Sequence, residues 1–254
     1  MFVLKPNQTE MPFLDHLEEL RWRLLLIAAA VIVTTGIGFF LVTHYDVLGL
    51  LIRPIEPLIA GSSLKYLSPT DPFFITLKLA LMVGIILAGP ILIYQIWAFF
   101  APALTASERR TIIPALYFGV LLFAAGAALA YFYVIPLALR FSMGFQTESL
   151  EQAIVIGEYL SVVITLIIAF GVVFELPIVL IVLSVLGIVT PEFLATNRRY
   201  AAAIITVVAC MITPGDIASS FFMMLPLFVL YEVSIVLSKF LIRRQIATAA
   251  ALEA

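Results

Sequence analysis

The chain has 254 residues, of which 63% are hydrophobic and 12% charged, with a formal net charge of −2. Soluble domains are roughly half apolar and about a quarter charged, so lipid must be the solvent for much of this surface. The near-zero charge argues against a nucleic-acid partner, which needs a basic patch; the lone Cys210 cannot close an intramolecular disulfide, and no Cys/His cluster suggests a metal or other cofactor.

The first informative segment is Met11–Arg23. Pro12 suits a first helical position, and Phe13, Leu17, Leu20 and Leu24 recur at helical spacing. Residues 1–23 therefore read as a cytoplasmic, amphipathic N-terminal element that runs into the first span. No cleavable targeting segment is expected, because the first apolar run begins near Leu24 behind acidic rather than basic residues. The acids Asp15, Glu18 and Glu19 form an unusual polar face, since the inner leaflet is anionic and attracts basic helices. Their simplest reading is helical pairing, Glu19 with Arg23 and Glu18 with Arg21.

A span needs about 20 apolar residues. Leu24–Val42, Phe73–Phe100, Ile112–Leu139 and Tyr159–Leu186 qualify, followed by two shorter runs, Tyr200–Ile212 and Ile217–Leu237, around Thr213-Pro214-Gly215-Asp216. The fifth run could be re-entrant; a short span is preferred, because Arg198 and Arg199 precede it and no basic residue follows until Lys239. Six spans put the N-terminal tail, the second and fourth loops and the tail 239–254 on one side. That side holds Lys5, Arg21, Arg23, Arg109, Arg110, Arg198, Arg199, Lys239, Arg243 and Arg244. The other side holds Arg53, Lys65 and Arg140, so the positive-inside rule places both termini in the cytoplasm. The expectation is an all-α membrane protein, one six-span domain over 1–254, N-in/C-in, multi-pass in the cytoplasmic membrane. Prolines 90, 114, 136 and 177 within the spans favour a curved wall with short fifth and sixth members over a compact bundle. The proline-rich loop 43–72, with Pro54, Pro57, Pro69 and Pro72, reads as a shaped outer cap.

Few residues could carry chemistry. Thr105-x-x-Glu108 fits a capping box opening the third span, which leaves Glu108 free to face the cytoplasm as well. Glu175 lies inside an apolar run, where a charge costs several kcal/mol unless hydrated or neutralised, so it should face a cavity, a partner or the interior. Lys78 and Glu232 lie near span ends and can snorkel. Asp216 reads as a helix N-cap. His16 and His44 are not placed beside a mid-membrane serine, and no glycine-rich phosphate loop occurs, so an enzyme is not expected.

Several segments in order resemble the TatC family, the polytopic receptor subunit of the twin-arginine protein translocase. They are Phe13–Arg23, Ser68–Phe74, Tyr94–Leu104, Glu108–Arg110, Ala130–Phe132, Phe174–Pro177 and Thr213–Asp216. The resemblance implies recognition of paired-arginine signal peptides on folded precursors, self-association in a receptor complex, TatA- and TatB-type single-span partners, and export driven by the proton-motive force. It implies that Glu19 and Glu108 receive the arginine pair, since guanidinium is a planar fork that carboxylate meets bidentately. Phe99, Arg21 and Pro54 match family positions linked to peptide binding or receptor function. Glu175 and Asp216 match intramembrane or partner-contact positions. The family often carries glutamine shortly after that aspartate; here Ser219 and Ser220 follow. A proton-coupled carrier would also use six spans, but it expects internal repeats and gives the acidic N-terminal face no purpose; a structural membrane scaffold would bind partner helices but not a twin-arginine peptide.

Overall fold

The computed structural model describes the backbone of residues 13–59, 64–100, 106–144, 153–212 and 217–253, with side chains over 17–59, 64–99, 116–144, 153–211, 220–221 and 223–240. The described residues are helical apart from one isolated bridge. In chain order they form α1 (Phe13–His44), α2 (Val47–Ile52), α3 (Asp71–Phe100), α4 (Ala106–Leu129), α5 (Ile135–Met143), α6 (Ile156–Val173), α7 (Leu176–Val185), α8 (Pro191–Thr196), α9 (Arg198–Ile212) and α10 (Ile217–Glu253).

Among the described residues, five stretches are long and apolar enough to cross a membrane: residues 17–44, 71–99, 116–143, 156–185 and 223–240. The expected fifth span is α9, whose 15 residues rise only about 22 Å. The expected sixth run does not stop at Leu237, because α10 continues to Glu253 through the segment read as a tail. Alanine, arginine and glutamine there are all good helix formers.

Prolines break some helices and not others. Pro136 has no N–H and would strike the carbonyl of Phe132; the chain widens into a π-helical turn over Ala130–Val134, with the Ile135 N–H returning to Ala130 O. Pro177 takes the second position of α7 after a break at Phe174–Glu175, which divides the fourth apolar run. Pro90 and Pro226 lie within continuous α3 and α10. The end of α7 is a Schellman motif: Ile188 N donates to Leu183 O at 3.0 Å and Gly187 N to Ser184 O at 3.1 Å, with Gly187 at φ 70°. Thr190 then caps α8, accepting from Phe193 N, and Pro191 opens it.

The helices pack as an open row. At one edge α1 lies on α3; α3 lies on α4 and α6; α4 on α6 and α7; α7 on α10; and α9 closes the other edge against α10 and α6. Small residues set the close approaches, as expected where lipid removes the hydrophobic drive between helices. A Cβ on Gly84 of α3 would sit 2.7 Å from Thr35 Cα and N of α1. One on Gly126 of α4 would meet the Phe170 carbonyl and lie 2.7 Å from the Phe174 ring. The outer face of α1 is left to lipid: Leu24, Leu26, Ile32 and Val33 are all exposed.

One end of the row carries the 43–72 segment. Asp46 caps α2 by accepting from Gly49 N at 2.9 Å, and a 3-10 turn follows over Glu56–Leu58. Two tyrosine hydroxyls then fix the last turn of α2: Tyr131 donates to Leu50 O and Tyr159 to Leu51 O, each at 2.6 Å. Lys65 pairs with the strand-like run before α6, with Lys65 N donating to Ile154 O and Ile156 N to Lys65 O. This cap end therefore ties α2 to the π-helical turn after α4 and to α6, and Lys65 to the run before α6, through backbone groups.

Candidate functional site

At the opposite end, Glu19 and Arg23 are four residues apart on α1 and share a face. The Nε and Nη2 groups of Arg23 both donate to the same oxygen, Glu19 Oε1, from Nε at 3.0 Å. Arg23 Nη1 donates across to Gln95 Oε1 of α3 at 3.3 Å. The two side chains are only 22% and 20% exposed. Glu19 Oε2 is buried and accepts no hydrogen bond among the described residues. A carboxylate offers about four acceptor positions. Here one oxygen carries both guanidinium contacts while the other is idle, and burying an idle acceptor costs about 1–3 kcal/mol. The arrangement is thus built to take another donor.

The helical geometry brings some expected residues together. Phe99 is half-buried, one turn beyond Gln95 on α3, as Glu19 is one turn beyond Arg23 on the antiparallel α1. Glu108 falls in the first turn of α4, whose backbone begins six residues after the end of α3 and so lies at this same end. Its side chain, like the Thr105 capping position, lies outside the described residues. Arg21 is exposed on α1. The expected Glu18–Arg21 pair is not formed: among the described residues the ion pairs are Glu19–Arg23 and Arg198–Glu232. Arg23 is drawn inward by Gln95, whereas no bond among the described residues ties Arg21 to a neighbouring helix. Pro54 is not part of this cluster. It follows α2 at the cap end, the length of α1 away. Asp216 lies outside the described residues.

Glu175 stands alone in the wall. It occupies the break between α6 and α7 and turns toward α4, where Gly119 makes room for it: a Cβ on Gly119 would lie 2.9 Å from Glu175 Oε2 and 3.0 Å from Ile178 Cδ1. Its Oε1 is buried and has no partner among the described residues. The other interrupting charges do pair. Lys78 Nζ donates to Ser161 Oγ at 3.1 Å. Glu232 receives a bidentate fork from Arg198, Nε to Oε1 at 2.7 Å and Nη2 to Oε2 at 3.0 Å, tying the start of α9 to α10. Sequence reading found Glu19, Arg23 and Glu175 but missed the roles of Gln95 and Arg198. Each makes its contact to a helix far away in the chain, and no local pattern carries that signal. Among the described residues no group of His, Cys, Asp and Glu could hold a metal.

Residues 15–226 match the family model described as Sec-independent protein translocase protein (TatC). The chain is 42% identical over 237 residues to the TatC protein of Aquifex aeolicus, covering 92% of this chain and 98% of that one. Against the TatC protein of Escherichia coli K12 it is 39% identical over 232 residues, 90% of this chain and 88% of the relative. A crystal structure of the twin-arginine translocase receptor TatC in the detergent DDM superposes with a TM-score of 0.80 at 42% identity, over 88% of this chain and 99% of that one. The family match spans both the Glu19 cluster and the Glu175 break, and the chain belongs to the TatC family of Sec-independent protein translocases, multi-pass membrane proteins of transport rather than catalysis.

Proposed function

We propose that the chain is the receptor that captures paired-arginine signal peptides of folded precursors, using Glu19 with Glu108 at the cytoplasmic surface. The idle, buried oxygen of Glu19, whose Arg23 partner is also bonded to Gln95, is the observation that supports this reading most. A guanidinium fork arriving there gains a charge-assisted bond in a partly desolvated setting, worth more than an exposed ion pair. A lysine ammonium lacks the fork. Phe99 offers an aromatic wall beside the pair, and exposed Arg21 stands at the mouth.

On this reading α9 is a short fifth span of six, both termini are cytoplasmic, and the row curves as a wall in the cytoplasmic membrane. TatA- and TatB-type single-span subunits join it, self-association completes the receptor complex, and the proton-motive force drives export. Glu175, in its Gly119 niche, meets a polar group of a peptide or partner helix; Asp216 contributes a second partner contact; Pro54 keeps the outer cap in shape for the deeply inserted part of the signal peptide. Crosslinking of the solubilised protein to an Arg-Arg precursor, with a Lys-Lys control, tests the central point. Glu19→Ala and Glu108→Ala each cut capture about tenfold or more, and the double variant abolishes it, by the scale for truncating one partner of a desolvated charge pair. Undiminished capture by the double variant overturns the reading.

A further inference from the structure

We infer that Arg23 is a resident occupant of the guanidinium site, an internal stand-in for the signal-peptide arginine that the incoming peptide must displace. The inference rests on the assignment of Glu19 as an arginine receptor. Three observations carry it. Arg23 offers Glu19 the same chemical group the ligand would offer, through two N–H groups. It uses only one of the two carboxylate oxygens, so its own contact is not the parallel two-oxygen fork that guanidinium and carboxylate favour, and Oε2, though buried, has no hydrogen-bond partner among the described residues. It also has somewhere to go, because Nη1 already reaches Gln95 Oε1 at 3.3 Å, and a small rotation about the long side chain leaves Arg23 on Gln95.

Capture is then an exchange. Glu19 together with Arg23 is neutral and attracts a further cation only weakly, so stray basic segments at the membrane surface gain little there. A peptide guanidinium that engages both oxygens replaces a one-oxygen contact with a two-oxygen one, while Gln95 keeps the displaced Arg23 hydrogen-bonded. A peptide lysine would remove a guanidinium and return a single point contact, and the exchange runs uphill. The cost of evicting Arg23 is the same whichever ligand arrives. It is therefore a threshold added to every ligand alike, and it does not alter the ratio between them.

That equality gives a sharp test. Fluorescent peptides carrying Arg-Arg or Lys-Lys are titrated against the full chain in detergent micelles by anisotropy. Arg23→Gln should tighten both peptides by the same factor, about 1.5- to 5-fold, the scale of a partly exposed i,i+4 pair. Arg23→Lys, which keeps the charge but loses the fork, should tighten both by about half as much on a logarithmic scale. In a Glu19→Gln background Arg23→Gln should neither restore nor tighten binding, because there is no longer a carboxylate to vacate. Unchanged or weakened Arg-Arg binding in Arg23→Gln overturns the inference and makes Arg23 a holder of Glu19. Equal tightening in the Glu19→Gln background also overturns it, since the effect would be the general loss of a positive charge. If Glu19→Gln alone leaves Arg-Arg affinity intact, the receptor reading fails and the inference falls with it; if Glu19→Gln weakens binding and Arg23→Gln fails to tighten it, the inference falls alone. Monodisperse elution of each variant from size exclusion, with Arg23→Lys as the conservative second variant, separates these outcomes from misfolding.

Discussion

The two ends of the helix row are held by different chemistry. At the cap end the ties are neutral and saturated: the hydroxyls of Tyr131 and Tyr159 each close on a carbonyl of α2, and Lys65 exchanges backbone hydrogen bonds with the run before α6. At the Glu19 end the ties are ionic and incomplete, with one carboxylate oxygen doubly used and the other idle. Saturated neutral bonds to backbone have nothing better to exchange for, so they fix shape. A charged pair with an unfilled position can trade partners. One end is made to stay, the other to respond.

Four substitutions probe that contrast. The largest effect is expected from Gly84→Ala, because α1 meets α3 backbone to backbone there and the new methyl would strike Thr35 Cα and N. Forcing α1 outward should destabilise the protein by about 1–3 kcal/mol and part Arg23 from Gln95. A fall in thermal midpoint in detergent is the expected result; an unchanged midpoint would show that α1 is not seated by this crossing. Next comes Tyr159→Phe, which strands a buried carbonyl at Leu51 and should cost about 1–2 kcal/mol. Tyr131→Phe should cost less, because its bond is exposed. Neither should change peptide affinity at Glu19, and a shift of more than about threefold would mean that the ends are not independent. The smallest effect belongs to Arg198→Lys. It loses the fork to Glu232, but both side chains are about half exposed (50% and 41%), so roughly 0.2–1 kcal/mol is expected. A loss as large as that of Tyr159→Phe would place α9 among the fixed parts of the wall.

Much of the architecture was legible in the sequence because lipid imposes length and composition on a span. The first four apolar runs became α1, α3, α4–α5 and α6–α7. Pro177 and Pro136 announced a break and a widened turn. Pro90 and Pro226 did not, since a proline in a helix packed by its neighbours can be accommodated without ending it, and the sequence does not reveal which neighbours will be there. The Glu19–Arg23 pair was legible because it is local. Gln95, 72 residues from Arg23, and Glu232, 34 from Arg198, were not: the first is a lone polar residue in an apolar run and the second reads locally as a snorkelling acid. Pairings across helices depend on packing registers set by residues such as Gly84 and Gly126, which have no side chain to advertise them.

The unbroken course of α1 has a mechanical consequence. Thirty-two residues of continuous helix span about 48 Å, and among the described residues α1 packs chiefly on α3. A rod borne along a single seam cannot absorb an axial load by bending in the middle. If the proposed receptor reading holds, a pull applied at Glu19 would be carried along this rod toward His44, three residues before α2 begins.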